Sequence, residues 1–519
     1  MSNVLDQTVD LFEPAPELVS MMTDAAAKRS VLLAIDIGTS GTRAAIFDER
    51  GAEIHGTGVQ SNRLPGSAAD FSTWDPDELR LEVAQAIDAT LVESRFLEAT
   101  THIRWIAVSC FWHSLLGIDA AGQPTTRVLG WADNRAVAEV SELRSKLNEA
   151  EVHSRTGCRL HPSYWPAKLL RLRNQEPEAF KRTTTWLSFG EYLALELFGK
   201  TAASISMASG TGLLNQQTCD WDRPTLAALD INIGSLPEIA ASRKTFHGLS
   251  PDYAERWPQL SEARIFPAIG DGAANCIGAG CASKEKLALM IGTSGAMRVL
   301  YSGEPPAIVP PELWSYRADR DRVVVGGALS DGGGLYHWLR ESLMRDLDAS
   351  LIETELSRIA PDSHGLTILP FWAGERSTGW HAEAQGAILG LSAHTRPVEI
   401  LRAAMEAIAY RLALIARALE PLAPGAAIVA SGNALRSSRV WGQILADVLG
   451  RRVTLGEESQ ASMRGAALLA LEAAGKIQSI AEFSMPVETV FEPMMSHHER
   501  YQQALDRQER IYQRVFTNP

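Results

Sequence analysis

The sequence predicts an α/β protein with two domains, each a mixed β-sheet flanked by helices, and a cleft between the domains. Apolar runs of strand length alternate with amphipathic helical stretches, which is the pattern of sheets covered by helices. A Gly-Thr-Ser-Gly turn between apolar runs occurs twice, at 38–41 and at 292–295, about half a chain apart. Repetition at such a distance indicates two domains of similar build. We place the first domain at 30–283 and the second at 284–519.

Composition limits the class of protein. The 519 residues are 45% hydrophobic and 21% charged, which is enough for two or three sizeable cores. A formal net charge of -13 argues against a general surface for nucleic acid or anionic membrane, so anions must be bound by local groups. The five cysteines form no Cys-x-x-Cys pair and no apolar run approaches a membrane span, so we expect a cytoplasmic protein with reduced thiols. Residues 1–29 are acidic, do not look like a signal peptide, and are predicted to form a loose extension.

The first predicted element is a β-hairpin at 31–47 that binds phosphate. Its strands are β-branched and apolar, and Gly38 and Gly41 permit the backbone angles of a tight turn. Asp36, at the end of the first strand, is placed to hold Mg²⁺ through water. The side chains available to phosphate oxygens are Thr39, Ser40, Thr42 and Arg43. A single turn of this kind is more often an ordinary hairpin, but the second copy favours a phosphate site.

Strands and helices alternate through the rest of the first domain. Trp74-Asp75-Pro76 predicts the start of an amphipathic helix, and 105–111 reads as a buried strand that leads into polar and aromatic residues. The remaining elements predicted here are a charged helix at 136–147, a helix at 178–197, a strand approaching Gly270, and a small-residue helix that begins at Ala273.

The second domain repeats this alternation. A strand pair at 287–301 surrounds the second turn, and a strand from Val323 enters the glycine turn at 332–334. The remaining predicted elements are a helix containing Trp338, a strand from Leu366, a long helix at 397–419, a strand at 426–430 and a helix at 440–449.

Asp271 is the candidate general base. Gly270 and Gly272 leave its carboxylate uncrowded, and the following helix offers its amino-terminal dipole to a nearby anion. Phosphoryl transfer from ATP to an alcohol needs a group that accepts the hydroxyl proton, together with Mg²⁺ and donors that neutralise the phosphates. The alternative is a residue that only stabilises a turn and caps a helix. The chain has no Gly-x-x-x-x-Gly-Lys-Ser/Thr motif, so phosphate binding depends on the paired turns.

Aromatic and polar side chains after a predicted strand suggest a site for a polyhydroxylated ligand. Aromatic rings stack on sugar faces, while paired donors and acceptors bind hydroxyl groups. The candidates are Trp112, His113, Trp131, Asp133 and Arg135. The Trp-x-Asp-x-Arg motif is equally consistent with a buried tryptophan beside a surface salt bridge. Gly432 and Asn433, between a strand and a helix, are either contacts for adenine or ribose or a plain turn.

These motifs together resemble those of the FGGY carbohydrate kinases, which belong to the actin-like ATPase superfamily. The resemblance extends from about residue 32 to residue 474. The segments that carry it are 36–43, 270–275, 292–295, 374–376, 430–433 and 441–447. It implies a ribonuclease-H-like core in each domain, with ATP and Mg²⁺ between the domains and the sugar bound mainly to the first.

The resemblance also implies a role for each candidate residue. Asp271 looks like the catalytic base beside the acceptor sugar, and Asp36 looks like the carboxylate on the Mg²⁺ side. The implied phosphate contacts are Thr39, Ser40, Arg43, Gly292 and Thr293, and the implied adenosine contacts are Gly432 and Asn433. The implied sugar contacts are Trp112, His113, Trp131, Asp133 and Arg135. The chain departs from the family at Asn433, whose loop lacks a common second glycine, and after Arg376, where a frequent proline is absent.

Two segments, 112–117 and 291–298, are most similar to the gluconate kinase branch. We therefore expect an ATP- and Mg²⁺-dependent kinase that phosphorylates a hydroxyl of a sugar acid and converts gluconate to 6-phosphogluconate. The alternatives are a kinase for xylulose or another pentulose or polyol, and a non-catalytic actin-like nucleotide-binding protein. The expected partners are the sugar acid and ATP, with no nucleic acid and no membrane. The oligomeric state is left open by the sequence, with a homodimer as one option.

Overall fold

The computed structural model describes residues 30–63, 73–96, 101–241, 243–457 and 460–516. The extension predicted at 1–29 lies outside these ranges. Two seven-stranded mixed sheets form the scaffold, one from each half of the chain, and helices flank both sheets, as the sequence predicts. Within the described ranges, no helix combines the length and apolarity needed to cross a membrane.

The first sheet places the first glycine turn at one end of its central strands. Ser30–Ile37 pairs antiparallel with Gly41–Phe47 and parallel with His102–Cys110. The strands in spatial order are Phe246–His247, Arg264–Ile265, His102–Cys110, Ser30–Ile37, Gly41–Phe47 and Val59–Asn62, and Ile269–Gly270 also pairs with His102–Cys110. Because the carboxyl ends of Ser30–Ile37, His102–Cys110 and Ile269–Gly270 coincide, the residues that follow them meet at one edge.

The helices before residue 284 follow the predicted alternation with two differences. Their bounds are Pro76–Glu93, Val137–Lys146, Glu149–Thr156, Trp165–Gln175, Pro177–Arg182, Phe189–Phe198, Ile205–Ser209, Arg223–Ala228, Pro251–Arg256 and Asp271–Gly278. The helix predicted at 178–197 is wrong, because Thr185–Leu187 forms a strand that pairs with Leu116–Ile118 and divides it. The small-residue helix begins at Asp271 rather than at Ala273.

The second sheet repeats the arrangement of the first. Lys286–Ile291 pairs antiparallel with Gly295–Ser302 and parallel with Ala427–Ser431, so the second glycine turn occupies the position of the first. The strands in order are Trp314–Arg317, Arg322–Leu329, Gly295–Ser302, Lys286–Ile291, Ala427–Ser431, Val453–Gly456 and Val487–Phe491. The helices are Gly333–Leu343, Ala349–Arg358, Pro397–Leu419, Asn433–Ser437, Arg439–Leu449, Ala461–Ala473 and Met495–Phe516.

Short strands and 3₁₀ turns complete the chain. The short strands are Thr73–Trp74, Leu116–Ile118, Val128–Leu129, Thr185–Leu187, Leu214–Asn215, Asp220–Trp221, Thr367–Leu369 and Ala387–Leu389. The 3₁₀ turns are Ser94–Phe96, Ile233–Ser235, Pro258–Leu260 and Ile480–Glu482. All five cysteines are buried thiols outside any disulfide.

One helix of the second half packs against the core of the first. Met463, Ala467 and Leu468 of Ala461–Ala473 are buried in the cluster that surrounds the first sheet. The same helix crosses Asp271–Gly278 at close range, with a glycine on each side. This helix therefore belongs to the second half of the sequence but packs with the first half in space. The domain boundary near Lys284 stays a prediction.

Candidate active site

The first glycine turn exposes its polar side chains. The Gly38 N–H donates to the Gly41 carbonyl at 3.0 Å and closes the turn. Ser40 is exposed and Thr39 is half-buried, so both hydroxyls are accessible to a ligand. Arg43 is the register partner of Asp36, and its Nη1 lies 3.5 Å from Asp36 Oδ2. The turn thus presents two hydroxyls and one cation beside a carboxylate.

Asp36 lies at the floor of this turn. Its side chain is buried, and the Ser109 hydroxyl donates a hydrogen bond to Oδ1 at 2.7 Å. Burial raises the pKa of Asp36, Ser109 and Arg43 lower it, and the negative charge of Asp271 raises it. A buried carboxylate beside a turn with accessible hydroxyls is a hard oxygen ligand of the kind that Mg²⁺ prefers.

The second glycine turn is held against a third glycine segment. The Gly333 N–H donates to the Gly292 carbonyl at 2.8 Å, and the Gly334 N–H donates to the Thr293 carbonyl at 2.9 Å. A Cβ atom at Gly333 would lie 2.5 Å from the Gly292 oxygen, so this approach requires glycine. Thr293 is exposed. The 332–334 segment therefore supports the second turn, a role that its glycines alone did not reveal.

Gly432 and Asn433 lie next to the second turn. Gly432 has φ of 107°, and a Cβ atom there would lie 2.3 Å from the Ile291 carbonyl oxygen. Asn433 begins the helix Asn433–Ser437 and is exposed. The structure thus brings both candidates beside Gly292, on the second-domain side of the cleft.

Asp271 stands at the amino-terminal end of Asp271–Gly278, just after the strand that ends at Gly270. Its Oδ1 accepts the Gly272 N–H at 2.8 Å and the Trp112 N–H at 3.4 Å. Burial raises the pKa of Asp271, whereas the nearby Arg298 lowers it. The carboxylate is therefore oriented by two backbone donors and close enough to Asp36 for their charges to interact.

Trp112 lies directly beside Asp271, and His113 follows it in the chain. A Cβ atom at Gly270 would fall 1.9 Å from Trp112 Nε1, so the indole occupies the space that this glycine leaves open. Trp112 Nε1 donates to the Ser206 carbonyl at 2.9 Å. His113 has φ of 69°, and burial holds its pKa well below the usual value, so its imidazole is neutral.

Trp131, Asp133 and Arg135 form a separate group at the side of the cleft. Arg135 binds both carboxylate oxygens of Asp133, at 2.8 and 2.6 Å, and its side chain is 48% exposed. The Trp131 ring lies 4.2 Å from the guanidinium carbon of Arg376. Asp133 is therefore occupied by Arg135, while Trp131 connects the group to the second half of the chain.

The second half contributes site residues that sequence reasoning missed. Trp314 and Tyr316 stack at 4.1 Å, and both contact the Trp112 ring edge-on. The Tyr316 and Tyr164 hydroxyls hydrogen-bond at 2.6 Å. The sequence signal that could have pointed to them is Arg298, three residues beyond the second turn. An arginine in a predicted buried strand needs neighbouring side chains that accommodate its charge. The aromatic cluster beside Asp271 is thus built from residues of both halves of the chain.

Comparisons with known proteins agree on one family. The N-terminal domain of the FGGY family of carbohydrate kinases matches residues 31–278, and its C-terminal domain matches residues 287–474. A gluconokinase from Bacillus subtilis (strain 168) is 29% identical over 87% of this chain and 89% of its own length. The crystal structure of gluconate kinase from Lactobacillus acidophilus aligns with a TM-score of 0.84 and 26% identity, over 94% of this chain and 99% of that chain. A ligand-bound xylulose kinase from the same organism gives 0.84 and 27%, with the same coverage.

Proposed function

The chain belongs to the FGGY family of carbohydrate kinases, and we propose that its acceptor is gluconate, which it converts to 6-phosphogluconate. Phosphorylation of a carbohydrate by ATP follows from the family itself. The similarity to gluconokinases along most of both chains supports the choice of acceptor. The geometry that supports the chemistry is the position of Asp271 beside Asp36, near the first turn and between the two sheets.

Asp271 is proposed to accept the proton of the reacting hydroxyl. The Gly272 and Trp112 N–H groups fix its orientation, and its raised pKa makes it a stronger base than a solvated carboxylate. The proposed acceptor contacts are Trp112, His113, Trp131, Asp133 and Arg135. Burial keeps His113 neutral, which suits a hydrogen bond to a hydroxyl.

The two glycine turns are proposed to bind the phosphates of ATP from opposite sides. The proposed contacts are Thr39, Ser40 and Arg43 in the first turn and Gly292 and Thr293 in the second. Gly432 and Asn433 are proposed to contact the adenosine. Asp36 is the proposed ligand of Mg²⁺, which when bound neutralises charge on the phosphates. The Ser109 hydroxyl holds that carboxylate in place.

A substrate panel tests the acceptor. The purified protein is assayed for ADP release with gluconate, xylulose, other pentuloses, glycerol and other polyols, and the acceptors are ranked by kcat/KM. We expect gluconate to rank first. A higher kcat/KM for xylulose would favour the second candidate, which the equal TM-score of the xylulose kinase supports. ATP binding with no stimulation of ADP release by any acceptor would instead favour a non-catalytic protein. The cytoplasmic location and a homodimer stay predictions.

A further inference from the structure

Arg298 is a buried cation, and two of its three side-chain nitrogens find no hydrogen-bond acceptor among the described residues. Its side chain is 7% exposed, and neither Nε nor Nη1 has a hydrogen-bond acceptor. Burying a charged donor without an acceptor costs free energy, and most buried polar groups are paired. The position therefore points to an anionic ligand that completes the hydrogen bonding of this guanidinium.

The direction of the Arg298 side chain follows from strand alternation. Met297 and Val299 belong to the core of the second domain, so Arg298 between them faces the first domain. Its register partner on the next strand is Gly326, where a Cβ atom would lie 2.8 Å from Arg298 Cγ. The glycine leaves a channel in which the side chain lies.

The guanidinium itself lies between the two domains. Across the cleft, a Cβ atom at Gly272 would be 3.0 Å from Arg298 Nε, so the charge sits beside the residue that follows the proposed base. On the other side, the guanidinium carbon is 6.0 Å from the centre of the Trp314 ring. Trp112 and Trp314, whose centroids are 6.0 Å apart, form aromatic walls around it. Such walls exclude water and strengthen an ionic contact made between them.

Arg376 is a second buried guanidinium in the same cleft. It is 9% exposed, its Nε lacks an acceptor, and its Nη2 donates to the Leu329 carbonyl at 2.6 Å. Burial lowers its pKa to about 10, and the positive charge of Arg298 acts in the same direction. The two cations are thus close enough to repel one another, and the Asp271 carboxylate, which acts on both, offsets this repulsion only in part, because the pKa of Arg376 stays lowered. A second anion bound by both guanidiniums would relieve the rest.

We propose that Arg298, assisted by Arg376, binds the carboxylate of the acceptor and so selects sugar acids over neutral sugars and polyols. This inference rests on the proposed function. A carboxylate presents two oxygens to the planar donors of a guanidinium, which a hydroxymethyl group cannot do.

The phosphates of ATP are a less suitable partner for Arg298. The two glycine turns and Arg43 already offer donors to them. Arg298 lies three residues beyond Gly295, roughly 10 Å along an extended strand, and its guanidinium lies among the aromatic rings. These positions assign the guanidinium to the acceptor side of the cleft.

The test compares gluconate with glucitol, which has the same carbon chain but a hydroxymethyl group in place of the carboxylate. For wild type, Arg298→Gln and Arg298→Lys, we measure the KM for gluconate, the KM or inhibition constant for glucitol, and the KM for ATP. We expect Arg298→Gln to raise the KM for gluconate by about 10- to 100-fold, the usual effect of losing a hydrogen bond to a charged group. The constants for glucitol and ATP should change by less than about threefold. Arg298→Lys, which keeps the charge, should recover part of the loss.

Arg317 provides the matched control. It is also a buried arginine of the second sheet, but its Nε donates to the Gln216 carbonyl at 2.9 Å and its Nη2 to Glu304 Oε2 at 3.0 Å. Arg317→Gln should lower the Tm and leave the ratio of the gluconate and glucitol constants unchanged. Arg298→Gln should abolish the Tm increase caused by gluconate, whatever its effect on the Tm of the ligand-free protein, because it removes a charge that lacks hydrogen-bond acceptors but attracts Asp271.

Equal effects of Arg298→Gln on gluconate and glucitol, or an effect on the KM for ATP alone, would overturn the inference and place this guanidinium at the phosphoryl group. If Arg298→Gln does not fold, Arg298→Lys and Arg376→Gln permit the same comparison. Wild-type turnover distinguishes a failure of the proposed acceptor from a failure of the proposed role of Arg298. A wild type that prefers xylulose contradicts gluconate as the acceptor, whereas a wild type that prefers gluconate with an unchanged ratio in the variants contradicts only the role of Arg298.

Discussion

The Ser109 hydroxyl donates a 2.7 Å hydrogen bond to Asp36 Oδ1, which joins two neighbouring parallel strands where both end. The two residues are also register partners. Burial raises the pKa of Asp36, and this hydrogen bond acts against that rise. Ser109 therefore helps to keep ionised the carboxylate that we propose as the Mg²⁺ ligand.

Replacement of Ser109 by alanine should weaken the use of Mg²⁺. Loss of a hydrogen bond to the charged form raises the pKa of Asp36, so the acid limb of kcat/KM should move to higher pH. We expect the apparent KM for Mg²⁺ to rise by about 3- to 10-fold. Steady-state rates measured against pH at limiting Mg²⁺ check this. Thr90→Ala removes a buried hydroxyl whose hydrogen bonds, among the described residues, go to two backbone carbonyls; it should lower the Tm and leave the Mg²⁺ dependence unchanged.

Asp271→Asn should remove the base and retain the fold. The amide oxygen can still accept the Gly272 and Trp112 N–H groups, but it cannot take up a proton. We expect kcat to fall by about 10²- to 10⁴-fold, with acceptor binding changed only a few-fold. Asp222→Asn is the control, since Asp222 caps the helix Arg223–Ala228 and also accepts hydrogen bonds from Arg155 and Asn215, neither of which is a proposed site residue. A folded Asp271→Asn protein with full turnover would show that Asp271 is only a helix-terminal residue.

Glu191 and Glu399 have the same structural role in opposite environments. Each is the third residue of a helix, in Phe189–Phe198 and in Pro397–Leu419, and its carboxylate accepts the backbone N–H of the residue before that helix. Burial raises the pKa of Glu191 to about 7, whereas the Arg396 backbone N–H lowers the pKa of Glu399. Glu191 therefore stabilises the fold at low pH and loses this contribution as the pH rises through about 7. Glu399 stabilises the fold at neutral pH, and this contribution is lost as the pH falls through its folded-state pKa.

The two glutamine variants should thus differ in sign. Between about pH 5 and pH 8, Glu191→Gln should gain about 1–3 kcal/mol of unfolding free energy relative to wild type, because glutamine has no charge to bury. Glu399→Gln should be destabilising at neutral pH, by a smaller amount, and should approach wild type below pH 4.5, the ordinary glutamate value. Urea denaturation at each pH measures both. Parallel curves for Glu191→Gln and wild type would contradict the raised pKa.

Gly278 and Gly465 allow two helices to touch through their backbones. A Cβ atom at Gly278 would lie 1.8 Å from the Ala461 oxygen, and one at Gly465 would lie 1.8 Å from the Ala274 oxygen. Either glycine-to-alanine substitution should separate the helices and lower the unfolding free energy by about 1–3 kcal/mol or more. Because Asp271 begins one of these helices, kcat should fall as well. Thermal denaturation and turnover of each variant check this, and a neutral result for both would mean that the crossing adapts easily.

Local chemistry explains what the sequence predicted correctly about the fold. Glycine turns between apolar runs identify the two hairpins, and proline at the first position fixes the start of Pro397–Leu419, whose predicted bounds match. The helix predicted at 178–197 was wrong because Thr185–Leu187 pairs with a strand distant in sequence. A window of local residues does not contain that partner.

The candidate site shows the same contrast between residues that local sequence identifies and residues that only the packing of distant elements brings together. Asp36 and Asp271 were found because glycines mark the strand ends where they lie. Trp314 and Tyr316 were not found, because they alternate in an ordinary buried strand and reach the cleft only when the two sheets pack together. Arg298 follows the second turn in the sequence, but its position in the cleft depends on Gly326 and Gly272, which come from other elements.

The packing of Ala461–Ala473 against the first sheet means that the two halves cannot be separated by cutting the chain at one point. A fragment ending near residue 283 would expose the apolar surface that Met463, Ala467 and Leu468 cover in the intact chain. A premature stop codon as late as residue 460 would thus damage the core of the first half, which ends far upstream in the sequence. Co-expression of this fragment with the remainder of the chain should restore the packed core of the first half, which neither fragment retains alone.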